Sequence, residues 1–100
     1  AEMRFDMANG GALRVRAERP LPFATGTDYE LWALPEGGAA PVSLGLLPAT
    51  GEREVRLTER QRAALATAAR LAVSREPAGG APTGLPTGDV VIVAPFAPPA

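Results

Sequence analysis

The chain contains no cysteine, no histidine and no lysine. The first two absences remove disulfides, Cys/His zinc sites and acid–base catalysis built on imidazole, though they leave the redox compartment open. The third removes the phosphate loop that ends in Gly-Lys-Ser/Thr. Ten arginines stand against eleven acids, for a formal net charge of −1, so there is no strong field to attract nucleic acid. Aromatic residues are scarce, with one Trp, one Tyr and three Phe. Long apolar runs are missing too: the longest, Val90 to Pro99, falls well short of the roughly 20 residues of a spanning helix. No basic segment followed by an apolar core opens the chain at Ala1-Glu2-Met3-Arg4, so a signal peptide is not read there, and the lack of an initial Met reads as a processed form or an excised piece.

What is present fits one small folded domain. The length is 100 residues and the hydrophobic fraction 46%, above that of a disordered tail. We read residues 1–94 as the domain and 95–100 as a Pro-rich tail, frayed or in polyproline II.

Alternation dominates the pattern. Met3, Phe5 and Met7 alternate with Arg4 and Asp6, and Leu13, Val15 and Ala17 with Arg14, Arg16 and Glu18. Two such runs around Asn9-Gly10-Gly11 predict a hairpin. A loop from Arg19 to Thr27 leads to a third strand, Asp28 to Leu34, with Tyr29, Leu31 and Ala33 on one face and Glu30, Trp32 and Leu34 on the other. Apolar residues on both faces predict a central strand, with Trp32 in the core. Val42 to Leu47 is a fourth strand broken by Gly45, an interior glycine of the kind that marks a bulge or a close backbone approach. After a turn at Pro48 to Gly51, a fifth strand runs from Glu52 to Leu57.

The period then changes. Thr58 and Gln61 form a capping box, and Glu59 favours the positive end of the helix dipole, so a helix is predicted from about Glu59 to Arg70. Leu71 to Arg75 returns to strand, Glu76 to Gly88 is a long loop, and Asp89 to Ala94 is a last strand. Its Val90-Val91-Ile92-Val93 run predicts burial on both faces. The sum is a mostly β fold, an antiparallel sandwich-like domain of about seven short strands with one short crossing helix.

No pattern of catalysis stands out. The acids are scattered, and nothing selects a pair spaced for glycoside chemistry. Ser43 and Ser74 lack a basic partner and read as caps or surface hydroxyls. Thr83-Gly84 and Thr87-Gly88 precede a strand rather than a helix, so they read as turns. Neither a calcium loop nor any cofactor motif is present. Glu76, placed before Pro77, is predicted to brace the loop that follows by accepting N–H bonds from Ala78 to Gly80.

Three stretches carry a resemblance. Tyr29-Glu30-Leu31-Trp32, Val42-Ser43-Leu44-Gly45 and Glu76-Pro77-Ala78-Gly79-Gly80 followed by Pro82-Thr83-Gly84 occur in that order, with the helix between the second and third. Together they resemble the extracytoplasmic C-terminal domain of the anti-sigma-K factor (RskA-like) family, across nearly the whole chain. Ala81-Pro82 departs from the Ser-Pro often found there.

The resemblance implies a non-catalytic sensory or regulatory domain of a membrane-tethered anti-sigma factor. Such a parent would cross the bacterial membrane once, with this domain outside. It would hold an extracytoplasmic-function sigma factor through a cytoplasmic domain absent from this chain. A regulatory envelope protease would release that factor to act in transcription. On the same resemblance Tyr29, Glu30, Leu31, Trp32, Ser43, Leu44, Gly45, Glu76, Pro77, Gly79, Gly80, Pro82, Thr83 and Gly84 are signature residues of fold and loop, none of them catalytic. The alternative from the residues alone is a cell-surface interaction or adhesion sandwich, with a homodimer as one form of it; it rests on Trp32, the edge strands and the apolar tail Val90 to Pro99.

Overall fold

A computed structural model describes residues 3–7, 11–19, 21–22, 25–47 and 51–96. The chain runs β1 (Met3–Met7), β2 (Leu13–Ala17), β3 (Thr27–Pro35), a short 3-10 turn (Glu36–Gly38), β4 (Val42–Leu47), β5 (Gly51–Val55), α1 (Glu59–Ala66), β6 (Ala68–Pro77) and β7 (Val90–Pro95). The strands form two antiparallel sheets, β1-β2-β5 and β4-β3-β6-β7. This is the mostly β, sandwich-like architecture expected from the alternation. The tips of the Asn9-Gly10 and Pro48–Thr50 turns and the last residues of the tail lie outside the described residues.

The core forms where the two sheets face each other. Met3, Leu13 and Val15 come from one sheet, and Tyr29, Leu31, Ala33, Leu44, Leu47, Leu71 and Val73 from the other. Leu21, Leu57 and Leu65 join this cluster from outside the strands. The strand residues are hidden because each strand offers alternate positions to one face, and burying such a side chain contributes about 1.5–3 kcal/mol.

β3 is central, as its double-sided apolar pattern requires, and Tyr29 to Ala33 are buried without a break. Gly45 lies at a bulge: β4 slips register between Leu31 and Trp32, and Gly45 adopts φ +106°. The slip lets Leu44 enter the core while Ser43 stands opposite Trp32 on the outer face.

α1 begins as its sequence predicts. Thr58 Oγ accepts from the Gln61 N–H at 3.1 Å, and Gln61 Oε1 accepts from the Thr58 N–H at 2.8 Å. The helix ends at Ala66, however, and not at Arg70. Ala68 pairs with Pro35 and Arg70 with both Leu34 and Pro95, so sheet pairing claims residues whose helix propensity is high. β5 is also shorter than predicted, ending at Val55, although Leu57 is still buried.

The last strand corrects a further expectation. β7 is an edge strand, and Val90 and Val93 are each 51% exposed. A bulge opposite Val73 and Ser74 places Val90 across from Ser74 and Val93 across from Ala72, so both valines face outward. Continuous β-branching here does not mean cover on both faces. Phe96 donates its N–H to the Ala69 carbonyl at 3.0 Å just beyond the strand.

Candidate functional site

The outer face of the four-stranded sheet carries the polar residues. Alternation along β3 and β6 sets Asp28, Glu30 and Trp32 beside Ala72, Ser74 and Glu76, with Asp28 opposite Glu76 and Glu30 opposite Ser74. Across this face runs the segment Ala78–Gly88, here called the strap. It leaves β6 and crosses β3. Gly84 then lies beside Pro41, Val42 and Ser43 at a groove of about 380 Å3 that also touches Thr58, Arg60 and Gln61 of the helix start. From there it returns to β6.

Each crossing is fastened by a carboxylate. Asp28 Oδ2 accepts from the Gly79 N–H at 2.8 Å, and Glu30 Oε1 from the Ala81 N–H at 2.7 Å. Glu30 Oε2 accepts from Ser43 Oγ at 2.5 Å, and Ser43 Oγ in turn accepts from the Gly45 N–H at 3.2 Å. On the return, Glu76 accepts from the Thr87 hydroxyl at 2.6 Å and from the Thr87 and Gly88 N–H groups at 3.2 Å. Bonds to an ionised acceptor are the strong ones in proteins, and the strap holds several of them.

Behind Glu76 the network continues into the sheet. Ser74 Oγ donates to Glu76 Oε2 at 2.6 Å and accepts from the Trp32 indole N–H at 2.8 Å. Trp32 and Ser74 are fully buried and Glu76 is 1% exposed. Burial alone pushes the Glu76 carboxyl up. The bonds donated by the Ser74 and Thr87 hydroxyls and by the Gly88 and Thr87 amides outweigh it, so the group titrates below its ordinary value. A general acid working near neutral pH needs the opposite shift. The arrangement is suited to holding a loop shut, with its acceptors filled by the protein's own donors.

Glycine is required where the strap comes close. A Cβ on Gly88 would stand 1.6 Å from the Arg75 carbonyl oxygen, and that residue's neighbour Asp89 accepts the Arg75 N–H at 2.8 Å. A Cβ on Gly80, at φ +104°, would meet Glu30 Oε1 at 3.0 Å.

The structure thus gathers many of the residues singled out from sequence. Glu30, Trp32, Ser43, Glu76, Gly79, Gly80 and Gly84 belong to the outer face and strap. Pro77 ends β6, and its carbonyl accepts from the Gly80 N–H at 2.9 Å. Pro82 and Thr83 are exposed on the strap, where Thr83 Oγ accepts from the Leu85 N–H at 3.4 Å. Tyr29, Leu31 and Leu44 point the other way, into the core, and the Tyr29 hydroxyl donates to the Pro22 carbonyl.

Two expectations change. Glu76 does not brace Ala78 to Gly80; it belongs to β6, stands out from the sheet, and meets the strap's far end at Thr87 and Gly88. Asp28 and Glu30 fasten the near end instead. Ser74 is not a surface hydroxyl, because it bridges a buried indole and a buried carboxylate. Asp28, Ser74, Thr87 and Gly88 escaped the sequence reading of the latch. The available signal was the two-residue spacing of Asp28 with Glu30 and of Ser74 with Glu76, which puts each pair on one strand face.

Among the described residues no group of acids converges as a metal site, and no helix is long and apolar enough to cross a membrane. The family model described as "Anti-sigma-K factor rskA, C-terminal" matches residues 3–90. The chain belongs to this family. No curated protein and no solved structure matches it. Membership in the RskA C-terminal family makes this a non-catalytic, extracytoplasmic regulatory domain of an anti-sigma factor, a class that acts on transcription. Domains of the family sit outside the membrane on tethered factors whose partner is a cognate extracytoplasmic-function sigma factor.

Proposed function

We propose that the folded domain protects the membrane stalk of a single-pass parent from a regulatory envelope protease, so that its loss or opening releases the sigma factor held inside. Family membership supports this reading. The observation that carries it is the closed strap: the polar residues of the outer face bind the chain to itself and leave a shape to be kept or lost. The test is cleavage of the full-length parent in membranes, with and without this domain. Faster cleavage without it supports protection, and equal cleavage overturns it.

A second reading, self-association, draws on β7. Its Val90–Pro95 segment has no charge to repel a copy of itself, and Val90 and Val93 are half exposed on one face. Antiparallel joining of two β7 edges would give a homodimer. Sedimentation over a concentration series tests this, and a monomer at the highest concentration overturns it.

A further inference from the structure

The three-stranded sheet matches its charges at most of its charged pairings. Asp6 faces Arg14, Arg14 faces Glu54 and Arg16 faces Glu52. Arg4 breaks this pattern, because it stands directly across from Arg16. Like charges at opposed positions of an antiparallel pair destabilise it, and the Cβ atoms there are only about 4.5–5.5 Å apart.

The ion pairs are shared unevenly between the two arginines. Glu18 Oε2 reaches Arg4 Nε at 3.5 Å, whereas Glu52 turns to Arg14 Nε at 3.4 Å. Among the described residues no carboxylate lies within ion-pair distance of Arg16. Arg4, Arg16, Ala17 and Glu18 line a hollow of about 250 Å3. Two guanidinium groups at one hollow offer planar forks of N–H donors, the geometry that matches phosphate oxygens.

We propose that Arg4 and Arg16 bind a phosphate-class anion in this hollow, either free phosphate or the phosphate of a lipid headgroup, with Glu18 as the internal competitor it displaces from Arg4. The site lies on the other sheet from the strap, and it does not depend on the protective reading above.

The domain is titrated with inorganic phosphate while the arginine Nε–H resonances are followed. Separately it is sedimented with vesicles of phosphatidylglycerol in phosphatidylcholine, against vesicles of phosphatidylcholine alone. Binding in the phosphate arm assigns free phosphate, and binding only to the anionic vesicles assigns the headgroup. In the arm that binds, R4Q and R16Q lower affinity by at least about tenfold, as loss of a charge-assisted fork requires. E18Q raises affinity, and R70Q, on the other sheet, leaves it unchanged. Absence of binding in both arms, wild-type binding by R16Q, or equal weakening by R70Q would overturn the assignment.

Discussion

Thr87 gives both its hydroxyl and its backbone N–H to the carboxylate of Glu76, although eleven residues separate the two along the chain. This pairing fixes the length of the strap. Its near end is bound to β3 through Asp28 and Glu30, its far end to β6 through Glu76, and β3 and β6 are adjacent strands. The loop is therefore part of the sheet's cover, and losing one end breaks the bonds that these carboxylates make to it.

Removing the Glu76 carboxylate tests the latch. Glu76→Ala leaves the buried Ser74 hydroxyl without its acceptor, which costs about 1–3 kcal/mol, and gives up the bonds to the Thr87 and Gly88 N–H groups, which lie on an exposed stretch where water can replace them. A loss of about 1–3 kcal/mol is expected in urea denaturation. Thr87→Val, which removes one donor and keeps the backbone bond, is expected to cost about 1 kcal/mol. Hydrogen exchange at Thr87 and Gly88 should rise in both variants. A stability change near zero for Glu76→Ala would show that the carboxylate does not hold the strap.

The same carboxylate sets a pH dependence. In the unfolded chain it titrates near its ordinary value of 4.5, and in the fold it titrates lower. Between the two the unfolded state takes up a proton that the native state lacks, so acidification favours unfolding. The contribution is full above pH 4.5 and is lost as pH falls through the folded value. Glu76→Gln removes this group from the balance. The gap in denaturation midpoint between wild type and Glu76→Gln should be widest near neutral pH and should close on acidification. A gap that is constant with pH would contradict the assignment.

Elements with a local cause were legible in the sequence. The alternation of Leu13, Val15 and Ala17, the capping box at Thr58 and Gln61, and the apolar doubling around Trp32 each produced the expected feature. Features decided by distant partners were not. Arg70 lies in a helix-forming stretch, yet it pairs with Leu34 and Pro95. Val90 and Val93 read as core until a bulge turns both outward on an edge. The site divides the same way: Glu76 was visible as a loop-bracing acid, but its partners depend on where the strap lands after crossing two strands. A carboxylate's local spacing says that it can accept N–H groups. Which ones it accepts is set by tertiary placement.

Glycine substitutions separate close approach from backbone conformation. Gly88→Ala drives a Cβ into the Arg75 carbonyl at 1.6 Å, which requires the strap and β6 to part. The expected cost is above about 3 kcal/mol, in the range reserved for a forced clash. Gly84 has φ +76° but open space around its Cβ position, so Gly84→Ala meets only the backbone penalty, about 1 kcal/mol. Thermal unfolding of the two variants side by side checks the order. Equal melting temperatures would mean that the strap does not press on Arg75.

Trp32 offers a test that reads the core and the latch separately, because it is the only indole and its fluorescence reports on itself. Trp32→Ala removes a fully buried ring and should cost about 3–5 kcal/mol. Trp32→Phe keeps most of the ring's packing and deletes the N–H donated to Ser74 Oγ, so its excess over a packing change measures that bond, about 1 kcal/mol. The bond is isolated by combining Trp32→Phe with Ser74→Ala in a double-mutant cycle. Because Ser74 donates its own hydroxyl hydrogen bond to Glu76, the two changes should be non-additive by about 0.5 kcal/mol or more. In wild type, acidification that protonates Glu76 should shift the indole emission before global unfolding, since the chain of donors runs from Trp32 through Ser74 to that carboxylate. Additive costs together with an emission that changes only on unfolding would show that Trp32 packs beneath the strap without being coupled to its latch.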